Sequence, residues 1–570
     1  MRLTKALHKP SKPYANLTET QRTVSNRTSN TAWLPWLALA VLWFATVQVR
    51  PLLDPDEGRY AEIPREMVAS GDWVTPRLND LKYFEKPPLQ YWMTAAAYRA
   101  FGFSPWTSRL WSFGLGFACL PLVFAWTRRR YGEMAGRAAL LALAVSPYFA
   151  LVGHLNLLDA ALTFWLTATV LAFLQAQTSD PGSTAERRWM LGCWIAAALA
   201  FLSKGLVVGV LVGTPLIVYS VLERDAHPWK RLHLAVGIPA FLCIAAPWLI
   251  LVSRRNADFL QFFFVHEHLA RYLTTVHERV EPWWYFIPIL FVGVLPWLPP
   301  LVRACRSAWS REEPGVAFKP LKFLLIYSAF TFLFFSASGS KLSYYVLPVV
   351  PALAVVVGAE WSVGRWLLTR TAWISAGFLL LVAIGWLVYC WHTNAFIPAE
   401  VAIWCVVAIV VGFIGVIGAR RSQGELPMGK VCVVAAAAIL GWQSLMLAYA
   451  ATPPLNTSRD LIATVRPYIH PGTTLYSVGQ LRETILPYLQ RTYIMVDHEG
   501  ELEFGLHAEP GHQSLTFEQF LQQWNASTDA IAFVSPQLWP RYQQRGLSGR
   551  VIASDASEDG RHGTIVLGRH

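Results

Sequence analysis

Residues Leu53–Gln90 read LDPDEGRYAEIPREMVASGDWVTPRLNDLKYFEKPPLQ. This is the one long polar stretch in the first half of a chain that is otherwise mostly apolar. Asp54, Asp56, Glu57, Glu62, Glu66, Asp72, Asp80 and Glu85 stand in it beside Arg59, Arg65, Arg77, Lys82 and Lys86. A dense, sign-balanced cluster of charge squeezed between lipid-soluble segments is not packing filler. The remainder of the chain reads as a scaffold that holds this loop, and a few partners, at a membrane surface.

Composition sets the class. The 570 residues are 54% hydrophobic and 14% aromatic but only 15% charged, with a mean hydropathy of +0.35. Soluble domains carry about 25% charged residues, so the chain is expected to be an integral membrane protein. Its 26 Trp fit that reading, because indoles gather at membrane–water interfaces. The net charge of +12 is scattered over short loops, as a topology signal is, and not gathered in the patch a nucleic-acid partner requires. The seven Cys fall in or beside apolar segments without paired spacing, which reads as small hydrophobes in helices and indicates no disulfide framework or cysteine metal site.

Apolar stretches on the scale a bilayer crossing needs, roughly 17–25 residues, recur at 32–50, 106–126, 134–153, 157–176, 189–203, 206–222, 232–252, 283–302, 321–338, 344–361, 372–391, 398–418 and 430–450. The spacing predicts about thirteen transmembrane helices. Residues 1–30 are basic, lack a cleavable signal pattern and are expected to stay cytoplasmic. That start places Arg128–Arg130, Arg187–Arg188, Arg224 with Lys230 and Arg231, Arg303 with Arg306 and Arg311, Arg365 with Arg370, and Arg420–Arg421 on the inside. The positive-inside rule is then met at every internal turn. The segments 31–452 form a transmembrane domain with a first outer loop at 51–105. Residues 453–570, on the outer side, alternate strand-like runs (474–478, 493–496, 530–534, 550–553, 564–567) with amphipathic stretches, predicting a small α/β domain.

The chemistry sits at the outer ends of the spans. A helix over 55–67 puts Asp56 and Tyr60 on one face at i, i+4, beside Glu57, Arg59 and Glu62. Carboxylates beside arginines suit phosphate chemistry, although an amphipathic helix lying on the membrane surface has the same pattern. In Phe84-Glu85-Lys86-Pro87-Pro88 two prolines at a helix boundary stiffen the backbone and fix the directions of Glu85 and Lys86. His154-Leu-Asn-Leu-Leu-Asp159 puts an acid at the end of a span, a functional candidate by default, with helix capping as the competing account. His266-Glu-His268, near Arg271 and His277, reads from its pattern as a His–Glu surface loop without metal; a metal site would join one His to a carboxylate from another loop such as Glu85, since i and i+2 do not share a helix face. Lys204 and Lys341 either snorkel to headgroups or, with Lys86 and Arg271, give the outer face the cations an anionic ligand needs.

Taken in order, DPDEGRYAE, YFEKPP, HLNLLDA, LSKG, the 266–271 loop and KLSYYVLP resemble the bacterial 4-amino-4-deoxy-L-arabinose lipid A transferases, within the protein-mannosyltransferase-like GT-C group. The resemblance covers nearly the whole chain. It implies a GT-C fold in the bacterial inner membrane with the active site and C-terminal domain in the periplasm. The implied reaction moves aminoarabinose from undecaprenyl phosphate to a lipid A phosphate, which lowers lipid A charge and gives resistance to polymyxin-type peptides. By the same resemblance Lys86, Arg271 and Tyr345 hold the carrier phosphate, with Arg59 and Lys341 in the substrate-binding set. Asp56 and Asp159, with Glu57, mark the reacting centre, and Tyr60 and Lys204 line it. Glu85 and His266 match positions that bind a divalent metal, zinc; no nucleotide or organic cofactor is implied, and a monomer is expected. Where this chain has Lys341-Leu-Ser-Tyr-Tyr345, many relatives carry Pro and Thr before the aligned tyrosine. Two other readings stand beside this one. A related transferase could move another sugar to lipid A, a glycan or a protein, or the chain could be a lipid flippase or transporter, against which stand the absence of a repeat and the placement of charges at the outer ends.

Overall fold

The computed structural model describes residues 33–270, 281–312, 317–360, 366–394, 396–420, 426–453, 456–509, 511, 514–557 and 559–569. Arg271, expected to hold a phosphate, and His277 lie outside the described residues. A helix occupies each of the thirteen apolar stretches. By length and composition seven of the described helices can cross a bilayer: Pro105–Tyr131, Leu158–Gln177, Leu234–Arg255, Pro320–Ala337, Leu368–Thr393, Ala399–Ala419 and Met428–Ala450. Two bent pairs raise the number to nine: Glu133–Ala144 with Pro147–Gly153, bent by 66°, and Phe286–Gly293 with Leu295–Ser310, bent by 62°. Each break falls next to a proline, Pro147 or Pro296, which cannot donate to the preceding turn. Leu34–Trp43, Val207–Glu223 and Val349–Glu360 are apolar but shorter. Thr184–Lys204 is long enough, but Glu186, Arg187, Arg188 and Lys204 dilute its apolar face.

The bundle is layered. Leu158–Gln177 and Met428–Ala450 are largely buried, whereas Leu234–Arg255 and Ala399–Ala419 leave most of their apolar surface outward. Val221, Leu381 and Ile417 are among the large aliphatic side chains left exposed. A contiguous apolar exterior of this extent is an interaction surface, and hydrocarbon is the solvent that suits helices whose backbone bonds are all internal.

The polar loop folds as expected at its start. Asp56–Ser70 is helical, with Asp56 and Glu57 in the first turn, where acids complement the positive end of the helix dipole. Gly71 ends it in the left-handed conformation, φ 74°, a backbone state open to glycine. A short hairpin follows, β1 (Arg77–Leu78) paired with β2 (Leu81–Lys82). Its two turn residues, Asn79 and Asp80, both take positive φ, as tight two-residue hairpins require. Helix Leu89–Phe101 begins directly after Pro87–Pro88.

The C-terminal region holds β3 (Thr474–Val478), β4 (Ile494–Val496), β5 (Ala530–Val534), β6 (Arg550–Ser554) and β7 (Ile565–Arg569). They form one mixed sheet in the order β4-β3-β5-β7-β6, with β4, β3 and β5 parallel and β7 and β6 antiparallel. Helices between the strands cover it, and Phe520, Trp524 and Tyr542 fill a small separate core. This sheet domain sits directly on the polar loop. A Cβ on Gly58 would lie 2.6 Å from the backbone of Glu483 and Thr484, and one on Gly505 would lie 2.8 Å from Lys82 O. Asp54 accepts from Thr484 N (2.8 Å), Thr484 Oγ1 (2.8 Å) and Arg482 Nε (2.9 Å).

Candidate active site

One small polar cavity gathers most of the candidates. Asp56, Arg59, Tyr60, Glu85, Lys86, Asp159, Lys204, Tyr344 and Tyr345 line it, although they come from segments almost 300 residues apart in sequence. Asp56 is the fixed point. Its Oδ1 accepts from Arg59 Nη1 at 2.8 Å, and its Oδ2 accepts from Tyr344 Oη at 2.9 Å. Tyr60 lies on the same helix face as Asp56, and burial together with that carboxylate holds its phenol well above the usual value, so it stays neutral. Across the cavity Lys204 donates to Asp159 Oδ1 at 2.5 Å, and its ammonium lies 4.4 Å from the Tyr345 ring centre. Such a cation–π contact steadies the ammonium without consuming its charge. Lys86 donates to Glu85 O (2.9 Å) and Glu267 Oε2 (3.2 Å).

Two larger cavities open from this centre. The first, about 400 Å³, shares Glu85, Lys86, Lys204 and Tyr345 with it and continues between Leu206, Val207, Val210, Phe334 and Phe335. A cationic mouth with an apolar body fits a lipid carrying an anionic head. The second, about 440 Å³, lies on the other side of Asp56 and Tyr344, against Leu155, Trp386, Trp442 and Tyr449. Asp56 therefore stands between two amphipathic cavities.

The structure corrects several expectations from sequence. Glu57 does not line the small central cavity: it is 2% exposed and is held between Arg50 and Arg109, a structural anchor that also reaches the wall of the second larger cavity beside Asp56. Burial alone would raise its pKa, but Arg109 and Arg50 outweigh that and hold it well below the usual carboxylate range. Arg59 lines the central cavity with its guanidinium already paired to Asp56, Glu501 and Glu483. The Lys341 ammonium is spent on the carbonyls of Glu281 (2.9 Å) and Ser338 (2.7 Å), so it holds its loop in shape and lines neither of the cavities beside Lys86. His154, quoted with the Asp159 motif but given no role in it, is buried against Trp43, Ala150 and Gln443 as a structural element of the helix bundle. Tyr344 was missed. A second tyrosine beside Tyr345 carries no sequence signal of which ring faces the acid.

The residues expected to hold a metal lie among other charged groups. His266 Nδ1 stands 3.7 Å from Glu267 Oε1. Glu267, with Glu503 and Glu85 further off, holds this imidazole above its usual pKa. Carboxylates around an imidazole attract a cation, but Lys86 already supplies one between Glu85 and Glu267. Among the described residues the one three-donor group is a different one, the exposed Glu499, Glu503 and His507.

A third acid group joins the site from the sheet domain. Glu483 Oε1 lies 3.5 Å from Arg59 Nη2, and Glu501 Oε1 lies 2.5 Å from it. One guanidinium cannot neutralise Asp56, Glu501 and Glu483 together, and burial with Glu501 alongside pushes Glu483 up to about 8 against the pull of Arg59. A carboxyl with a raised folded-state pKa stabilises the fold fully below its ordinary value of 4.5, and that contribution is lost as pH rises through about 8. Thermal stability is therefore expected to fall across this window, and Glu483→Gln to flatten the fall. A wild-type melting temperature that rises between those limits would refute the assignment.

A helical membrane bundle with a charged centre at one end, on which an α/β sheet domain is seated, is a GT-C-type glycosyltransferase fold. Comparison with known proteins agrees. Residues 35–269 match the family model for dolichyl-phosphate-mannose-protein mannosyltransferase, and residues 461–558 match that for the aminoarabinose transferase C-terminal domain. An undecaprenyl phosphate-α-4-amino-4-deoxy-L-arabinose arabinosyl transferase of Aeromonas salmonicida is 34% identical over 58% of this chain. That match and those to a Proteus mirabilis and a Sodalis glossinidius relative span only 58–60% of the relatives' own lengths. A second Proteus mirabilis relative of the same name is 30% identical over 88% of this chain and 92% of its own. The crystal structure of ArnT from Cupriavidus metallidurans bound to undecaprenyl phosphate superposes with a TM-score of 0.82 at 32% identity, covering 95% of this chain and 99% of that one. The chain belongs to the undecaprenyl phosphate-aminoarabinose arabinosyl transferase family.

Proposed function

We propose that this chain is a lipid-linked glycosyltransferase that moves 4-amino-4-deoxy-L-arabinose from undecaprenyl phosphate to a phosphate of lipid A. The observation that carries the reading is the position of Asp56 on the wall between two amphipathic cavities, one with the cations Lys86 and Lys204 at its mouth. Two lipids that meet head to head need this arrangement. The names of the relatives and the undecaprenyl phosphate in the Cupriavidus metallidurans structure supply the chemical identity. The thirteen-span topology belongs to the same reading, with the active site and the sheet domain on the periplasmic side of the inner membrane and the protein acting as a monomer. Capping lipid A phosphate with an aminosugar lowers its negative charge, which accounts for resistance to cationic peptides such as polymyxin.

The reaction breaks the bond between the sugar's anomeric carbon and the carrier phosphate oxygen, and forms a bond from that carbon to a lipid A phosphate oxygen. Undecaprenyl phosphate leaves with the bonding pair. Lys86 and Lys204 exchange their carboxylate partners for the departing phosphate and stabilise the charge that builds there; by family resemblance Arg271 shares this task. Asp56, held at both oxygens, orients the reactants and balances positive charge developing on the sugar. A hydroxyl acceptor would need Asp56 as a base, whereas a phosphate acceptor is ionised beforehand and needs none. Displacement from the face opposite the leaving phosphate inverts the anomeric centre.

The test is lipid A mass spectrometry in a strain lacking its own transferase. Expression of the chain is expected to add the mass of one aminoarabinose or more. Unmodified lipid A, with donor present and protein in the membrane, would refute the assignment, and a different added mass would point to another sugar. Zinc belongs to the proposal as well: Glu85 and His266 offer carboxylate and imidazole donors, with the remaining positions left to water or substrate oxygen. Bound zinc would add positive charge near the carrier phosphate. Elemental analysis of the purified protein is expected to find zinc that Glu85→Gln and His266→Ala lose, and zinc-free wild type would overturn this point.

A further inference from the structure

We propose that the C-terminal sheet domain is part of the active site, with Glu501 acting as a positioning residue that sets Arg59 and, through it, Asp56. The inference deepens the transferase reading above and rests on it for its kinetic test.

The argument starts from Arg59. Its side chain is 4% exposed, so its charge must be met by fixed partners in place of water. Nη1 reaches Asp56 Oδ1 at 2.8 Å and Nη2 reaches Glu501 Oε1 at 2.5 Å, while Nε has no hydrogen-bond partner. A guanidinium is planar and its nitrogens diverge at fixed angles. Anchoring Nη2 on the sheet domain therefore fixes the direction in which Nη1 points. Asp56 receives its orientation from two sides, Tyr344 on the bundle and Arg59 steered by Glu501. The same anchor divides the guanidinium's charge, so that Asp56 is not fully neutralised and keeps negative potential for the sugar.

The domain is seated for this task. It touches the chain on both sides of Asp56: Asp54 is bound by Thr484 and Arg482, and Gly58 lies against the Glu483–Thr484 backbone with no room for a Cβ. Phe504, three residues beyond Glu501, packs on Phe84 (ring centres 5.6 Å apart) and Phe262 (4.1 Å). It thereby grips the segment that carries Glu85 and Lys86. A merely tethered accessory domain needs none of these contacts with the reacting loop.

Kinetics of the purified full-length protein with aminoarabinosyl undecaprenyl phosphate and lipid A test the proposal. Glu501→Gln is expected to lower kcat about tenfold while leaving the donor KM within about twofold, since orientation and not binding is lost. Glu501→Asp is expected to recover most of kcat, and Glu518→Gln, in the exposed pair with Arg545, to leave it unchanged. A Glu501→Gln kcat within about twofold of wild type overturns the proposal. So does a loss that tracks a fallen melting temperature and is not recovered by Glu501→Asp. An electron-cryomicroscopy structure of Glu501→Gln decides independently of the sugar: a displaced Arg59–Asp56 pair supports the proposal and an intact one refutes it. If wild type transfers no aminoarabinose, the functional reading fails and this geometry alone settles the role of Glu501.

Discussion

Replacing Glu57 by alanine is expected to destabilise the protein by about 3–5 kcal/mol, the cost of removing one partner from a buried ion network. Glu57 accepts from Arg50 Nη1 (2.7 Å) and Nη2 (2.8 Å) and from Arg109 Nε (3.0 Å) and Nη2 (2.8 Å). It also accepts from the backbone N–H groups of Leu53 (3.1 Å) and Asn156 (2.9 Å). Arg50 and Arg109 are 3% and 0% exposed, so without Glu57 two buried guanidiniums face each other with no counter-charge. The damage is not local. Arg109 lies on the Pro105–Tyr131 helix, and Asn156 and His154, whose carbonyl takes Arg50 Nη2, belong to the turn before Asp159. Glu57 thus ties the catalytic loop to two elements of the bundle. Glu57→Gln keeps the shape but not the charge and is expected to fall between alanine and wild type. Thermal unfolding of the detergent-purified variants measures this. A Glu57→Ala protein that melts with wild type and has lost activity would mean that the residue acts in catalysis after all.

Asp56→Asn is expected to show the reverse pattern, a kcat lower by on the order of 10²–10³ with a melting temperature close to wild type. The amide can still accept from Arg59 with its oxygen, and its nitrogen can donate to Tyr344, so the local geometry survives. What disappears is the negative charge facing the sugar at the wall between the two cavities. Glu501 still meets the buried Arg59 guanidinium, so the substitution leaves no unpaired charge behind. Transfer assays with the same donor and acceptor, run beside thermal unfolding, check both halves of the prediction. Retained kcat would remove Asp56 from the reacting centre and leave Asp159 with Lys204 as the remaining acid pair there. Neighbouring acids, Asp56 and Glu57, are thus distinguished by opposite losses: activity for one, stability for the other.

Much of this protein was legible in the order of its residues. Low charge and long apolar stretches are statements about solvent, and solvent preference is additive along a chain, so the membrane class follows without a structure. Strand-like runs such as 530–534 and 474–478 are local patterns too, and the sheet contains β5 and β3 at those positions. The motif residues Asp56, Tyr60, Glu85, Lys86, Asp159, Lys204 and Tyr345 converge on one cavity. Polar groups at the mouths of spans cost too much to keep without a partner or a task.

Tertiary structure alone decided which member of each pair does the work. Successive residues on a helix project about 100° apart, so Asp56 faces the cavity while Glu57 faces Arg50 and Arg109, two cations that are unremarkable in sequence. Lys341 and Lys204 each follow a serine or precede a glycine near a helix end, yet one finds carbonyls and the other a carboxylate and an aromatic ring. Glu501 stands 442 positions from the arginine that it holds. Sequence by itself determined what each segment prefers as its surroundings. Only the folded chain determined which charges meet, because electrostatic partners are chosen by distance in space, and distance along the chain carries almost none of that information.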